Sequence, residues 1–269
     1  MDAPARTARS DALPLPPFEM RQLVGPTDEA AFDNPSGSPI FADVPEAQFD
    51  SVLDFGCGCG RLARQMIQQR ARPRRYVGFD LHPGMVRWCQ RELAPRAPGF
   101  EFLHHDIYNP VFNPDLSKPR WLPMPAEDES ARLMIALSVF THTTQAQTEH
   151  YLREAARVLH PDGVLVASWF LFEKRFFPMM HDWQNTLYIN IEDPTNATIF
   201  EREWLQMSLH NLGLGVVRAV QPSFRGYQWL LHIRRLSAGE PSIAIPEDQA
   251  PFGRLPPPVP IKNPTEVGS

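Results

Sequence analysis

The sequence predicts an α/β fold in which a mostly parallel sheet lies between two layers of helices. Short apolar stretches of strand length alternate with helical stretches that carry an apolar face along residues 50–236. This alternation is typical of a parallel sheet covered on both sides. Several of the strands end in glycine or in an acidic residue, at separations that strand–helix–strand units allow. With 269 residues, 43% of them hydrophobic, the chain can bury one substantial core.

The first predicted strand begins at Ser51 and leads into a turn with a glycine at every second position. Residues 54–60 read DFGCGCG, and a helix is predicted to follow from Arg61. Glycine lacks a Cβ atom, so the backbone can turn sharply and approach a ligand, while the amides of the helix start face an anion. The dinucleotide spacing G-x-G-x-x-G would need its third glycine at Arg61 or at Ala63. The spacing therefore argues against a nicotinamide-dependent oxidoreductase.

The next two predicted strands each end in an acidic residue. Residues 76–80 read YVGFD and end in Asp80, where nucleotide-cofactor folds place the acid that accepts hydrogen bonds from ribose hydroxyls. Residues 100–106 end in Asp106. Because parallel strands present their carboxyl ends at one edge of the sheet, both acids are predicted to lie near the glycine turn.

Two later stretches complete the central part of the sheet. Residues 131–142 form an apolar strand that ends near Leu137, Ser138 and His142. Residues 157–168 read as the end of a helix, a turn and a fifth strand. Helices are predicted at 61–70, 83–93 and 143–159, and a pair of antiparallel edge strands at 215–220 and 227–234.

Together these motifs resemble those of the class I S-adenosylmethionine-dependent methyltransferases. An acid followed by G-x-G-x-G is similar to the first motif of that family, and residues 157–168 are similar to its Leu-x-Pro-Gly-Gly core, with Asp162 replacing the first glycine. The resemblance covers roughly residues 50–236. It implies a Rossmann-like three-layer αβα sandwich whose seven-stranded, mostly parallel sheet has one antiparallel strand and the order 3-2-1-4-5-7-6.

The resemblance also implies a cofactor and its binding residues. S-adenosyl-L-methionine would contact Asp54 and the glycine turn through its methionyl part, Asp80 through its ribose and Asp106 through its adenine amino group. The cofactor-binding residues implied in this way are Asp54, Gly56, Cys57, Gly58, Gly60, Asp80, Leu81, Asp106, Ile107, Leu137 and Ser138.

Methyl transfer asks for few catalytic groups, because the sulfonium already carries an activated methyl group. Holding the acceptor in line supplies much of the rate enhancement, and a base is needed only where the acceptor bears a proton. His142 and His181 are the candidate bases, since imidazole titrates near neutral pH. No metal site is expected, because Cys57, Cys59 and Cys89 lack further ligands at zinc-like spacings.

The acceptor is less well defined by the sequence. Seven aromatic residues fall within residues 169–188, and they fit an apolar or sugar-stacking acceptor pocket as well as a small core beneath an insertion. The Asn-Pro-Pro-Tyr signature of many nucleobase methyltransferases is missing after the fourth strand, and the net charge of −5 disfavours a nucleic-acid surface. We therefore expect a hydroxyl or amine acceptor on a small molecule or glycan. The alternative is a non-catalytic cofactor-binding or regulatory module that keeps the fold.

Proline content predicts the domain boundaries. Residues 1–45 and 237–269 hold eight prolines each of the 29 in the chain, so the methyltransferase-like domain is expected at 46–236, with an aromatic-rich insertion at 169–200. Residues 18–25 are expected to fold over the cofactor site, and residues 256–260 to form a polyproline-like tail. A cytoplasmic location without a membrane span is expected, because no apolar run approaches the length of a spanning helix and no signal peptide is evident.

Overall fold

The computed structural model describes residues 13–222, 227–237 and 239–247. Within these residues the chain forms a nine-stranded sheet flanked by α-helices. The strands are β1 Ser51–Phe55, β2 Arg75–Asp80, β3 Phe100–His104, β4 Ala131–Ala136, β5 Leu159–Phe172, β6 Thr186–Tyr188, β7 Thr198–Glu201, β8 Leu214–Val220 and β9 Trp229–Arg235. The α-helices are α1 Phe18–Leu23, α2 Arg61–Ile67, α3 Pro83–Glu92, α4 Gln145–Val158 and α5 Arg202–Asn211.

The main part of the sheet has the predicted order. Strands β3, β2, β1, β4 and β5 pair in parallel. The first half of β5 then pairs with β9 in antiparallel register, from Leu165 opposite Ile233 to Trp169 opposite Trp229, and β9 pairs with β8. Since β8 and β9 are the sixth and seventh strands of the expected order, the fold class and the order 3-2-1-4-5-7-6 are confirmed.

The predicted count of seven strands is wrong, because the sheet has nine. The two additional strands, β6 and β7, come from the aromatic-rich insertion. Strand β5 is 14 residues long and continues beyond its pairing with β9. Its last residues, Phe170 to Phe172, pair in parallel with β7, and β6 pairs antiparallel to β7. The extra strands thus satisfy the backbone groups that the end of β5 would otherwise leave unpaired.

Two hydrophobic cores lie on opposite faces of the sheet. Because side chains alternate across a strand, Val52 of β1 joins the core beneath α2 and α3, whereas Leu53 joins the core beneath α4 and α5. The largest side chains of the second core, Trp169 and Trp229, are fully buried. Burial of a large apolar side chain of this kind stabilises the fold by roughly 1.5–3 kcal/mol.

The helices begin and end within a few residues of their predicted bounds, and their caps explain the differences. Helix α4 begins after Thr144, whose side chain accepts from the amide of Gln147 in a capping box. Helix α3 begins with Pro83 and is capped by the imidazole of His82. Among the described residues, no helix is both long and apolar enough to cross a membrane.

The described parts of the segments outside the predicted domain, 13–45 and 239–247, make contacts with it. The buried guanidinium of Arg64 in α2 donates to the carbonyls of Leu13, Pro14 and Phe32 and so ties the N-terminal segment to the sheet domain. At the other end Ile245 is buried against the core. The boundaries at 45 and 237 stay predictions, and the polyproline-like stretch 256–260 lies outside the described residues.

Candidate functional site

A cavity of about 560 Å³ opens at the carboxyl edge of the parallel strands. It lies where the chain leaves β1, β2, β3 and β4 and is bordered by the end of α1, with Leu23, Val24 and Gly25 among its lining residues. The sheet order reverses between β1 and β4. In open α/β sheets this switch point is where ligands bind.

The turn after β1 requires glycine where its backbone adopts a positive φ. Gly56 and Gly60 both have φ of +76°, in the left-handed region. A Cβ atom at Gly56 would lie 2.4 Å from Cγ2 of Val139, and one at Gly60 would lie 2.6 Å from Cδ1 of Leu93. Gly56, Cys57 and Gly58 line the cavity, whereas Gly60 packs against the helices behind it. The turn therefore brings bare backbone to the cavity.

The carboxylate of Asp80 holds this turn in place. Its Oδ2 accepts the amide of Gly58 at 2.8 Å, and its Oδ1 accepts the amide of His82 at 2.8 Å. Burial raises the pKa of Asp80, and the two amide hydrogen bonds act in the opposite direction. Each carboxylate oxygen retains a lone pair that can accept from a ligand hydroxyl in the cavity.

Asp54 lies deeper, at the end of β1, and has a partner that the motif did not reveal. The side chain of Asp54 is 2% exposed, and its Oδ2 accepts the hydroxyl of Tyr76 at 2.5 Å. Burial raises the pKa of Asp54 to about 6, despite the opposing effect of this hydrogen bond. The residue borders the cavity and gives it a carboxyl group next to the glycine turn.

Arg61, the first residue of α2, also lines the cavity and was not among the expected binding residues. Burial lowers its pKa, while the nearby carboxyl of Asp54 acts in the opposite direction. Within the part of the chain that the structure describes, its guanidinium forms no ion pair. In the sequence, a role for Arg61 in the site was indicated only by its position directly after the last glycine of the turn.

Only some of the residues expected to bind adenine lie at the cavity. Leu81 and Ile107 line the cavity. Asp106 does not, because its carboxylate accepts from the ammonium of Lys118 and from the amide of Asn113 at 3.0 Å. These two hydrogen bonds lower the pKa of Asp106. The assignment of Asp106 to an adenine amino group stays a prediction.

A buried imidazole, His105, adds a further group that sequence reasoning missed. Its Nε2 lies 2.8 Å from the hydroxyl of Tyr151, and both residues border the cavity. Burial lowers the pKa of His105 to about 4, so the ring is neutral at neutral pH. The histidine pair at 104–105 gave no indication of which ring would face inward, because that choice depends on the packing of α4.

The end of β4 supplies Leu137, Ser138 and His142 to the cavity. The Nδ1–H of His142 donates to the carbonyl of Thr195 at 3.0 Å. In the neutral imidazole this bond leaves the lone pair on Nε2, which is the form that a general base requires.

The second candidate base, His181, lies outside the cavity. It is exposed and stacks on Trp183 with ring centroids 5.7 Å apart. The two histidines are thus separated by the structure, and His142 alone of the pair lies among the lining residues.

The aromatic residues of the insertion divide between the two roles that the sequence left open. Trp169 is fully buried and stacks on Phe140 at 4.1 Å, whereas Phe170 lines the cavity. Phe176 and Trp183 are 67% and 72% exposed. One ring therefore faces the cavity, and others contribute to the core or to the surface.

Comparison with known proteins agrees with this geometry. Residues 52–163 match the family model described as a methyltransferase domain. An uncharacterized methyltransferase of Oceanobacillus iheyensis is 27% identical over 137 residues, which are 51% of this chain and 54% of that protein. The phthiotriol/phenolphthiotriol dimycocerosates methyltransferase of Mycobacterium leprae is 28% identical over 114 residues, which are 42% of this chain and 35% of that protein. The chain thus spans about half or less of the length of these curated relatives.

A solved structure shares the fold. The S-adenosylmethionine-dependent methyltransferase of Leishmania major superposes with a TM-score of 0.50 at 13% identity, over 72% of this chain and 68% of that one. Residues 52–163 thus match a methyltransferase domain, and the strand order is the one expected from the resemblance to the class I S-adenosylmethionine-dependent methyltransferases.

Proposed function

We propose that the chain transfers the methyl group of S-adenosylmethionine to a hydroxyl or amine of a small molecule or glycan. The observation that carries this proposal is a continuous cavity that joins the glycine turn to the end of β4. A nucleotide-type cofactor and an acceptor could therefore lie side by side, as transfer within one complex requires.

The residues present fit the cofactor. The turn is a cradle that Cβ atoms would fill, the carboxylate of Asp80 faces the cavity with free lone pairs, and Arg61 offers a cation to a carboxylate. We assign the methionyl part to Asp54, the 56–60 turn and Arg61. The ribose goes to Asp80, and the faces of the adenine go to Leu81 and Ile107, with Asp106 retained as a predicted partner of its amino group. Leu137 and Ser138 would lie beside the sulfonium, which supplies the activated methyl group when the cofactor is bound.

The protein's own contribution to the chemistry is then orientation and proton removal. His142 is the proposed base, because the carbonyl of Thr195 fixes its protonated nitrogen and leaves Nε2 free for an acceptor proton. His181 is not required by this arrangement, since it lies outside the cavity.

Two observations support a small acceptor over a nucleic acid. The net charge of the chain is −5, whereas nucleic-acid surfaces need clustered cations. The relative from Mycobacterium leprae carries a name that refers to phthiotriol and phenolphthiotriol dimycocerosates, which are not nucleic acids.

Cofactor binding is tested by calorimetric titration of S-adenosylmethionine and S-adenosylhomocysteine into the wild type and into Asp80→Ala. We expect the variant to bind about 100-fold more weakly, because it loses the ribose acceptor and the charged partner of two backbone amides. Asp182→Ala serves as the control, since Asp182 is exposed and outside the cavity.

Methyl transfer is tested by supplying radiolabelled cofactor together with fractionated small molecules, glycans, proteins and RNA. Label in a small-molecule or glycan fraction supports the proposal. Absence of cofactor binding by the wild type, with an unchanged melting temperature, would overturn it in favour of a non-catalytic module.

A further inference from the structure

Three polar side chains from distant parts of the sequence meet on the acceptor side of the cavity. Ser138 follows β4, Ser168 lies in β5 and Gln228 directly precedes β9. The hydroxyls of Ser138 and Ser168 both lie within hydrogen-bond distance of Oε1 of Gln228, at 3.0 Å and 2.6 Å. We call these three residues the Gln228 cluster.

The hydrogen bonds of the cluster can be followed from donor to acceptor. The amide of Ser138 donates to Oγ of Ser168 at 2.7 Å, and the hydroxyl proton of Ser168 then goes to Oε1 of Gln228. The hydroxyl of Ser138 donates to the same oxygen. Two donors therefore occupy the carboxamide oxygen and fix the plane of the amide group.

The other end of the amide group is left available. Gln228 lines the cavity, and its Nε2 has no hydrogen-bond partner among residues 13–222, 227–237 and 239–247. A carboxamide nitrogen carries two N–H donors. The cluster thus presents oriented donors to whatever occupies this side of the cavity.

The backbone of Ser138 adopts a strained conformation, so the cluster forms at a cost in conformational free energy. Its φ is +55°, in the left-handed region that residues with a Cβ atom rarely adopt. The hydrogen bond from its amide to Ser168 helps to hold this conformation. Strained residues of this kind cluster at ligand-binding sites.

The charges that line the cavity restrict the chemistry of the ligand. Among the lining residues that the structure describes, Arg61 is the sole arginine or lysine, and it lies on the glycine turn. The wall formed by the end of β4 and the 193–197 segment instead contributes His142, Asp193 and Asn196. A carboxylate on the acceptor would meet Asp193 without a fixed cation, whereas a neutral oxygen would not.

We propose that Nε2 of Gln228 donates a hydrogen bond to an uncharged oxygen of the acceptor, such as a hydroxyl, ether or ring oxygen of a sugar. The serines of the Gln228 cluster act as positioning residues that aim the amide. This inference rests on the proposed function, because it takes that side of the cavity as the acceptor subsite. It adds that the acceptor is neutral and rich in oxygen at the point of contact.

The test follows the side-chain amide of Gln228 by NMR in ¹⁵N-labelled protein, with its signal assigned from Gln228→Leu. Methyl α-D-glucopyranoside and sodium benzoate are titrated separately, each with and without S-adenosylhomocysteine. We expect the glucoside to shift the Gln228 amide signal and to bind about fivefold more weakly to Gln228→Leu, as loss of one neutral hydrogen bond predicts. Gln206→Leu, in α5 and outside the cavity, is the matched control and should bind like the wild type.

Ser168→Ala separates positioning from folding. This variant keeps the Gln228 amide but loses the group that orients it, so we expect a shifted amide signal in the free protein and weaker glucoside binding. Replacing the amide with the isosteric carboxylate in Gln228→Glu should weaken glucoside binding further, because the two N–H donors are lost. Gln228→Glu should retain the melting temperature of Gln206→Leu, whereas Ser168→Ala should lower it, because the amide of Ser138 loses its acceptor.

The outcomes distinguish this inference from the proposed function. No response of the Gln228 amide to the glucoside, or a response to benzoate alone, would overturn the inference while S-adenosylhomocysteine still binds. If S-adenosylhomocysteine fails to bind and the amide still responds to the glucoside, the proposed function fails and the neutral-oxygen subsite remains.

Discussion

The proposed cofactor side and the proposed acceptor side of the cavity are built in different ways. On the cofactor side, residues 54–61 and 80–82 form two short contiguous segments that hold each other through the bond from Gly58 to Asp80. On the acceptor side, Ser138, Gln228 and the 193–197 segment come from distant parts of the chain. A short motif can therefore determine the first, whereas the second depends on tertiary assembly. We therefore expect stability and binding on the cofactor side to respond to any added atom, and binding and turnover on the acceptor side to respond to the loss of individual polar groups.

The largest effect is expected at the acceptor side, from His142→Ala. Removal of a general base lowers rates by about 10²–10⁴-fold, so turnover of the acceptor found in the methyl-transfer screen should fall by this order. Affinity for S-adenosylhomocysteine should stay unchanged, because His142 is proposed to act on the acceptor proton and not on the cofactor. His181→Ala is the matched variant, and it should keep its turnover because the residue is outside the cavity. Equal losses of turnover in both variants would contradict the assignment of the base to His142.

Gly60→Ala tests the packing of the cofactor side. Both this variant and Gly213→Ala place a side chain at positive φ, which costs about 1–2 kcal/mol. At Gly60 the new Cβ would also lie 2.6 Å from Leu93, whereas Gly213 has no atom within 4 Å of that position. We expect an additional loss of about 1–3 kcal/mol in the free energy of unfolding for Gly60→Ala, measured by urea denaturation. Equal losses of unfolding free energy in the two variants would show that the side chains behind Gly60 can move to accommodate the new Cβ atom.

Asp54→Asn tests the buried carboxyl at the base of the turn. The folded protein holds the Asp54 proton with a pKa of about 6, against an ordinary value of 3.8. Between these pH values the folded state binds more protons than the unfolded state, so rising pH lowers stability there, by about 3 kcal/mol from this group. The Asn variant should lose this pH dependence and gain stability at neutral pH, while binding S-adenosylmethionine more weakly.

The control for that experiment is Asp50→Asn. Asp50 is an exposed partner of Arg74, and this hydrogen-bonded pair lowers its pKa, so its contribution has the opposite sign. Thermal unfolding at several pH values between 4 and 8 should show the destabilising slope in Asp50→Asn and its loss in Asp54→Asn. A slope that persists in Asp54→Asn would place the responsible proton on another group.

The smallest effect is expected from Asp106→Ala. The carboxylate of Asp106 is partly exposed and paired with Lys118, and such pairs contribute about 0–1 kcal/mol. We expect calorimetric affinity for S-adenosylmethionine to change by no more than this amount. A much larger loss, reproduced by Asp106→Asn and absent in Lys118→Ala, would show that the carboxylate turns to the adenine, as the family resemblance implies.

Much of the sheet could be predicted because each strand ends in a local signal. The alternation of apolar strands with helices predicted a mostly parallel sheet, the family resemblance supplied the order of its seven strands, and the glycine spacing located the turn. Strands β6 and β7 could not be found in this way, since they form only because β5 continues beyond its pairing with β9. Their residues lie in a stretch whose aromatic content fitted two interpretations.

The site residues could be predicted where the local structure allows only one or two residue types. Gly56 and Asp80 were found because a bare turn and an acid at a strand end have few alternatives. Tyr76, Arg61 and Gln228 were missed, because a tyrosine within a strand, an arginine at a helix start and a glutamine before an edge strand are common everywhere. The partner of Tyr76 lies 22 residues away in the sequence and Ser138 lies 90 residues from Gln228, so only the folded chain brings these groups together.

The divided pairing of β5 has a consequence for how such a protein can change. One long strand pairs with β4 and β9 on its first half and with the β6–β7 extension on its last three residues. An exchange of that extension for another would alter the 193–197 wall of the cavity and leave the parallel pairing of β1, β2 and β4 untouched. One side of the pocket could thus be reshaped by replacing a short outer segment, while the strands that carry the glycine turn keep their register.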